Sequence, residues 1–211
     1  MLLTSTTKEL LKRRGLYPFH ATVLEQKGQS VLILGFSGRG KTTAFLSPLR
    51  SGYRYLSDDH PFFRVHGTCV EILPCPLKIN VTDQTVSFFP ELRDASPSVL
   101  HAGVPKRFFY AEDLYPWPIG QSCESSVILF PEVVNSPHSC LEPLSKKLAL
   151  EMILPHLLLV YEAAVARREF QTLVRLVEQT DCYRLHFGRD FMDLPWLVTP
   201  LWEERHARRD H

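Results

Sequence analysis

The stretch Gly35-Phe36-Ser37-Gly38-Arg39-Gly40-Lys41-Thr42 constrains this chain more than any other. It fits the pattern G-x-x-x-x-G-K-[ST], and its flanks supply the strand before and the helix start after that the pattern needs. Ser30-Val31-Leu32-Ile33-Leu34 is short, apolar and β-branched, which predicts a buried strand. Glycines allow main-chain N–H groups to turn inward around phosphate oxygens, where side chains would clash. A helix opening at Lys41 adds unpaired N–H groups and the positive end of its dipole. Lys41 then reaches the outer phosphates, and the Thr42 hydroxyl is placed to bind Mg2+. A glycine turn that bound nothing would require neither Lys nor Thr here. The loop predicts nucleotide phosphate binding.

Composition narrows the rest. A chain of 211 residues suffices for one well-packed domain with a helical appendage. Its 45% hydrophobic and 22% charged content is that of a globular protein. The net charge of +1 gives no electrostatic footprint for nucleic acid or an anionic membrane. Only the tail 203–211 is locally basic, and it reads as a solvated or frayed terminus. Five scattered cysteines without a C-x-x-C pair indicate free thiols, neither a zinc site nor a disulfide framework. The N-terminus lacks the apolar core of a signal peptide. The most apolar later run, 148–160, is too short to span a bilayer, so a cytoplasmic location is expected.

Along the chain, residues 6–14 read as a short basic helix stopped by Gly15. An alternating stretch in 16–25 and the turn Gln26-Lys27-Gly28-Gln29 predict a hairpin whose second strand exits into the glycine loop. The following helix is short, because Pro48 lies in its pattern. A strand at 53–56 delivers Ser57-Asp58-Asp59, and a second hairpin pairs 62–65 with 69–73. Shorter strands are expected at 77–81, 107–110 and 126–130. Helices at 145–160 and 168–179, a strand at 183–187 and a closing helix within 194–206 complete a mixed α/β chain.

Phosphate binding is not yet a reaction. Asp58 and Asp59, seventeen and eighteen residues after Lys41, offer two carboxylates at the end of the next strand. One can hold Mg2+ with Thr42, and the other can accept the proton of an attacking hydroxyl. Spacing does not decide which takes which role. His20 lies on the strand before the loop strand, where it is either a structural residue or a neighbour of the phosphates. His60 and His66 have no partners at metal-ligand spacing and read as structural. Arg39 either touches phosphate or faces solvent. Lys106 and Arg107 are candidates for positive charge on the moving group, and Glu91 is a further candidate.

Pro18-Phe19-His20-Ala21, a short turn, the strand and glycine loop, and Tyr55-Leu56-Ser57-Asp58-Asp59 together resemble the kinase domain of HPr kinase/phosphorylase. They are more similar still to the smaller HPr-kinase-related proteins, including the peptide-tailoring kinases found with lasso peptides. Residues 88–92, Lys106-Arg107-Phe108-Phe109-Tyr110, and 182–190 add short echoes. The resemblance implies a single α/β P-loop kinase domain over 1–211, with a mixed sheet of the phosphoenolpyruvate carboxykinase-like type. Within it, 1–15 would be an N-terminal helix, 16–130 the sheet and loop core, and 144–211 a mainly helical part. It also implies Mg2+-dependent transfer of the terminal phosphate of ATP or another NTP to a serine-type hydroxyl on a peptide, protein or small molecule.

Carried onto this sequence, the phosphate loop is Gly35, Ser37, Gly38, Arg39, Gly40, Lys41, Thr42 and Thr43. Asp58 becomes the general base, with Lys41 and His20 beside it, while Thr42 and Asp59 become the metal partners. Partners are then a nucleotide and an acceptor hydroxyl compound, with no nucleic acid and no membrane; homo-oligomer assembly is compatible with the family. The loop begins after only 34 residues, so the separate N-terminal domain of full HPr kinases is not expected. Nor does the sequence carry the family's second signature segment or its basic C-terminal loop. Phe36 stands where such loops more often carry a small or polar residue, crowding the nucleotide or lining the acceptor pocket. Two other readings stay open. One is a catalytically lapsed nucleotide-binding module. The other is a switch or transporter NTPase, which fits poorly because no long apolar strand ending in Asp-Glu follows.

Overall fold

The computed structural model describes residues 2–35, 38–101, 103–116, 119–157 and 162–209. Its organising turn is local chemistry: Lys27 and Gly28 both take left-handed backbone, with φ of 53° and 79°. A two-residue hairpin turn of this hand requires that. The Glu25 carboxylate accepts the Gly28 N–H at 2.6 Å and holds the turn.

In chain order the elements are α1 (Leu2–Arg13), β1 (Tyr17–Pro18), β2 (Thr22–Gln26), β3 (Gln29–Ile33), α2 (Lys41–Arg50) and β4 (Arg54–Ser57). Next come β5 (Phe62–His66), β6 (Cys69–Leu73), β7 (Ile79–Val81), α3 (Asp83–Phe88), β8 (Val99–His101), β9 (Val104–Phe109) and α4 (Ala111–Leu114). The remainder is β10 (Cys123–Val133), β11 (Cys140–Pro143), α5 (Lys146–Ile153), α6 (Ala163–Gln179), β12 (Asp181–Phe187) and α7 (Leu194–Arg209).

Nine strands form one mixed sheet, ordered β1-β5-β6-β10-β3-β2-β4, with β12 on β10 and β11 on β12. Strand β10 is the hinge of this arrangement. It runs parallel to β3 along one edge; along the other it pairs antiparallel with β6 and then parallel with β12. Strands β7, β9 and β8 make a small separate antiparallel sheet.

Every residue of β3 is buried, and alternate residues serve opposite faces. Val31 and Ile33 join a core with Phe45, Tyr53, Leu129 and Trp202, beneath α2 and α7. Leu32 and Leu34 join another with Phe19, Phe63, Leu173 and Leu176, beneath α6. Both faces of the sheet are therefore covered, as a continuous apolar strand demands.

Several boundaries differ from the sequence reading. The helix expected over 145–160 is α5 alone, started by Ser145 accepting the Leu148 N–H and stopped ahead of Pro155 by a 3-10 turn at Leu154–His156. Residues 158–160 of that expectation lie outside the described residues. Helix α6 begins at Ala163, five residues earlier than expected. Strand β10 spans 11 residues, because each part finds a different neighbour. Strands β8 and β11 were not foreseen; both are short and mostly exposed, so periodicity gives them little signal. The basic tail continues α7 to Arg209. The five cysteines carry free thiols. Among the described residues no helix is long and apolar enough to cross a membrane.

Candidate active site

The glycine loop leaves the end of β3 and enters α2. Gly38 and Gly40 hold φ of 84° and 81°, a conformation that side chains disfavour. Gly40 is constrained twice over, since a Cβ there would stand 3.0 Å from the Phe187 ring and 3.1 Å from Val133. Phe36 and Ser37 lie outside the described residues, so the expectations placed on them have no structural counterpart here.

Helix α2 starts without a side-chain cap and without an acidic residue in its first turn. Its ladder opens with Ala44 N–H donating to the Gly40 carbonyl at 2.8 Å, so the N–H groups of Lys41, Thr42 and Thr43 precede the first helical bond. Uncapped donors and an uncompensated dipole make this end receptive to an anion. Thr42 is half-buried there, and among the described residues its hydroxyl makes no hydrogen bond.

Four of the expected residues come together at this helix end. The Lys41 Nζ lies 3.2 Å from Nε2 of His20 and 3.9 Å from an oxygen of Asp59. Nδ1 of His20 is 3.7 Å from the same oxygen. Burial and then the Lys41 charge hold the His20 imidazole below its ordinary pKa, against the pull of Asp59. A neutral ring accepts at Nε2 from the lysine and turns Nδ1–H toward the aspartate. Backbone bonds fix this corner. Ala21 N–H donates to the Asp59 carbonyl at 3.2 Å, and His20 N–H to the His156 carbonyl at 3.1 Å.

Asp58 and Asp59 occupy opposite environments. Asp58 is 7% exposed, and its Oδ1 accepts the Thr22 hydroxyl at 2.7 Å. Its own N–H donates to the Tyr55 hydroxyl at 3.0 Å. Burial, and next the neighbouring Asp59, push the Asp58 carboxyl above its usual range; Lys41, Thr22 and the Asn80 N–H oppose them. Asp59 takes φ of 88°, uncommon for a residue with a Cβ, and the turn sends its carboxylate outward. Its side chain is 36% exposed.

Other candidates separate cleanly. Lys106 on β9 lies within electrostatic reach of His20. Arg107 pairs instead with Asp83 at 2.7 Å. Glu91 faces Arg50 at 3.6 Å and accepts the Tyr115 hydroxyl at 3.2 Å, at the far end of α2. Arg39 is exposed. His66 lines a cavity of about 430 Å³ with Gln29 at the opposite end of β3.

The sequence reading missed neighbours of the site. His60, set aside on spacing, has its ring 5.9 Å from that of His20. His156 stacks on His20 at 6.2 Å from the other side. Burial holds both imidazoles at about 4. Lys8 on α1 is within electrostatic reach of Asp59 and His60. A His-Pro dipeptide after the aspartates hinted at His60; nothing in the sequence near position 156 pointed to this corner.

Among the described residues no group of three His, Cys, Asp or Glu side chains is arranged to enclose a metal. That suits an ion of the Mg2+ kind, which usually takes only one or two carboxylates besides phosphate and water. The exposed Asp59 carboxylate next to Lys41 provides one.

No family model matches the chain, and no curated protein matches it. A solved structure of the HPr(Ser) kinase/phosphatase from Coxiella burnetii is similar at 13% identity, with a TM-score of 0.42 over 92% of this chain and 99% of that one. The α/β chain with its mixed sheet thus resembles HPr(Ser) kinase/phosphatase at the level of fold.

Proposed function

We propose that this chain is an HPr-kinase-like phosphotransferase, moving the terminal phosphate of ATP or another NTP to a serine-type hydroxyl. The observation that carries the proposal is the convergence of Lys41, His20, Asp58 and Asp59 on an uncapped helix end entered through two left-handed glycines. It treats residues 1–211 as one nucleotide-binding domain. Supporting that, the C-terminal strand β12 pairs with β10, the neighbour of the loop strand.

In the proposed reaction, the loop and the first turn of α2 hold the phosphates through main-chain N–H groups. Lys41 neutralises the outer phosphates, and neutral His20 keeps its ammonium aimed by accepting one of its protons. Asp58, oriented by Thr22, takes the proton of the acceptor hydroxyl as its oxygen bonds to phosphorus. The bond from phosphorus to the bridging oxygen breaks, and the electron pair leaves with the nucleoside diphosphate. Thr42 and Asp59 would hold Mg2+, which supplies charge neutralisation on the phosphates. Burial suits Asp58 to its role, because a carboxylate of raised proton affinity is a better proton acceptor.

One observation favours a second reading, a lapsed nucleotide-binding module: Asp58 is 7% exposed and already engaged by Thr22. Labelled ATP and Mg2+ incubated with free serine, candidate peptides and HPr separate the two. Transfer of label supports the kinase, and calorimetric ATP binding with no transfer or turnover supports the module. Absence of ATP binding overturns both.

A further inference from the structure

Three imidazoles reach one corner of this molecule from three separate segments. His20 comes from the β1–β2 corner, His60 from the turn after Asp59, and His156 from the 3-10 turn after α5. His156 is buried behind His20, stacked at an interplanar angle of 14°, and its carbonyl accepts the His20 N–H. His60 is half-buried on the other side. Two lysines flank this wall from different elements, Lys8 from α1 and Lys106 from β9. Among the described residues neither lysine has a carboxylate within ion-pair distance. The acidic groups facing the corner are Asp58, which is turned inward to Thr22, and Asp59, which Lys41 shares.

Resting on the kinase reading, we infer that Lys8, Lys106 and His60 form the acceptor subsite, and that it selects a hydroxyl compound carrying a carboxylate or phosphate beside its hydroxyl. The argument is one of charge. Lys41 serves the nucleotide, so Lys8 and Lys106 are left facing the place where the acceptor must stand for Asp58 to reach its proton. A neutral acceptor would cover two ammonium groups without replacing their water or supplying counter-charge. An anionic acceptor supplies both, and a neutral His60 ring adds an N–H donor without adding charge. His156 acts as a positioning residue, holding the His20 side of the wall.

The test uses matched acceptor pairs on the whole chain. Glycerate is compared with glycerol, and a short serine peptide flanked by aspartates with the same peptide flanked by asparagines. Binding is measured by calorimetry on protein saturated with a non-hydrolysable ATP analogue and Mg2+, and transfer with labelled ATP. The expected result is a preference of roughly tenfold or more for the anionic member of at least one pair. The pair that shows it tells a small hydroxy acid from an acidic peptide. Lys8→Met with Lys106→Met brings that preference close to one, through acceptor KM rather than kcat, whereas Lys8→Arg with Lys106→Arg retains it. Equal binding of charged and neutral members in both pairs, or a preference that survives the double Met variant, overturns the inference. Preferential binding without any transfer supports the subsite and counts against the kinase reading. Equal transfer to glycerol, or to the asparagine peptide, does the reverse.

Discussion

The ammonium of Lys41 sits 3.2 Å from Nε2 of His20, so the lysine that reaches the phosphates is aimed by an imidazole from the opposite strand of a hairpin. That ring is held neutral by burial and by the lysine itself. The pair is therefore a donor and an acceptor, not two repelling cations.

Replacing either partner separates binding from aiming. Lys41→Ala is expected to abolish measurable ATP binding in calorimetry. His20→Ala is expected to keep ATP affinity within about threefold and lower kcat by roughly tenfold, equivalent to about 1.4 kcal/mol of transition-state stabilisation. Transfer at the wild-type rate in His20→Ala counts against the aiming role.

Asp58→Asn removes the proton acceptor but retains its shape and its Thr22 contact. Nucleotide binding should persist while transfer falls by about 10²–10⁴-fold. Thr22→Val removes a bond that stabilises the carboxylate, so the acidic limb of the pH–rate profile should move to higher pH. Equal rates for wild type and Asp58→Asn would refute the assignment.

At Gly40 the backbone φ is 81°, and the space for a Cβ is taken by Phe187 and Val133. Gly40→Ala meets a left-handed penalty of about 1–2 kcal/mol and crowding of about 1–3 kcal/mol. A fall in Tm of about 5 °C or more is expected, together with weaker ATP binding. Gly38, with φ of 84° but open space around it, should lose less on the same change. A Tm shift for Gly38→Ala as large as that for Gly40→Ala would contradict this account.

Away from the site, Lys12 is fully buried 3.6 Å from Glu169, joining α1 to α6. Burial raises the Glu169 carboxyl to about 7. The folded state thus holds a proton that the unfolded chain releases near the ordinary value of 4.5, and this stabilisation is lost as pH rises from there through 7. His156 acts in the opposite sense. Its folded value of about 4 lies below the ordinary 6.5, so its contribution is lost as pH falls through that interval. Thermal melts from pH 4 to 8 should show Glu169→Gln losing the alkaline decline and His156→Gln losing part of the acidic one. Melts of Glu169→Gln that decline between pH 5 and 8 as steeply as wild type would remove Glu169 as the cause.

Much of the path to the site was legible from neighbouring residues alone. The Lys27-Gly28 turn, the wholly apolar strand after it and the glycines leading into α2 are set by steric and hydrogen-bonding preferences over a few positions. Asp58 and Asp59 were visible for the same reason, as the polar exit of a strand. Their division of labour was not. Identical side chains one position apart end up buried and exposed because the turn puts Asp59 at φ of 88° while Thr22, from a paired strand, takes hold of Asp58.

Residues brought in from a distance could be placed only by the tertiary structure. His156 stands 136 residues after His20, and it arrives because Pro155 stops α5 in a 3-10 turn whose backbone bonds to the strand corner. Arg107 and Glu91, plausible by charge, are drawn away by Asp83 and Arg50. Strand β10 has its length from three neighbours that no window of sequence contains together. Local sequence settles which backbone shapes a segment prefers; which side chains then meet depends on strand order, since burial and pairing energies act between segments far apart in the chain.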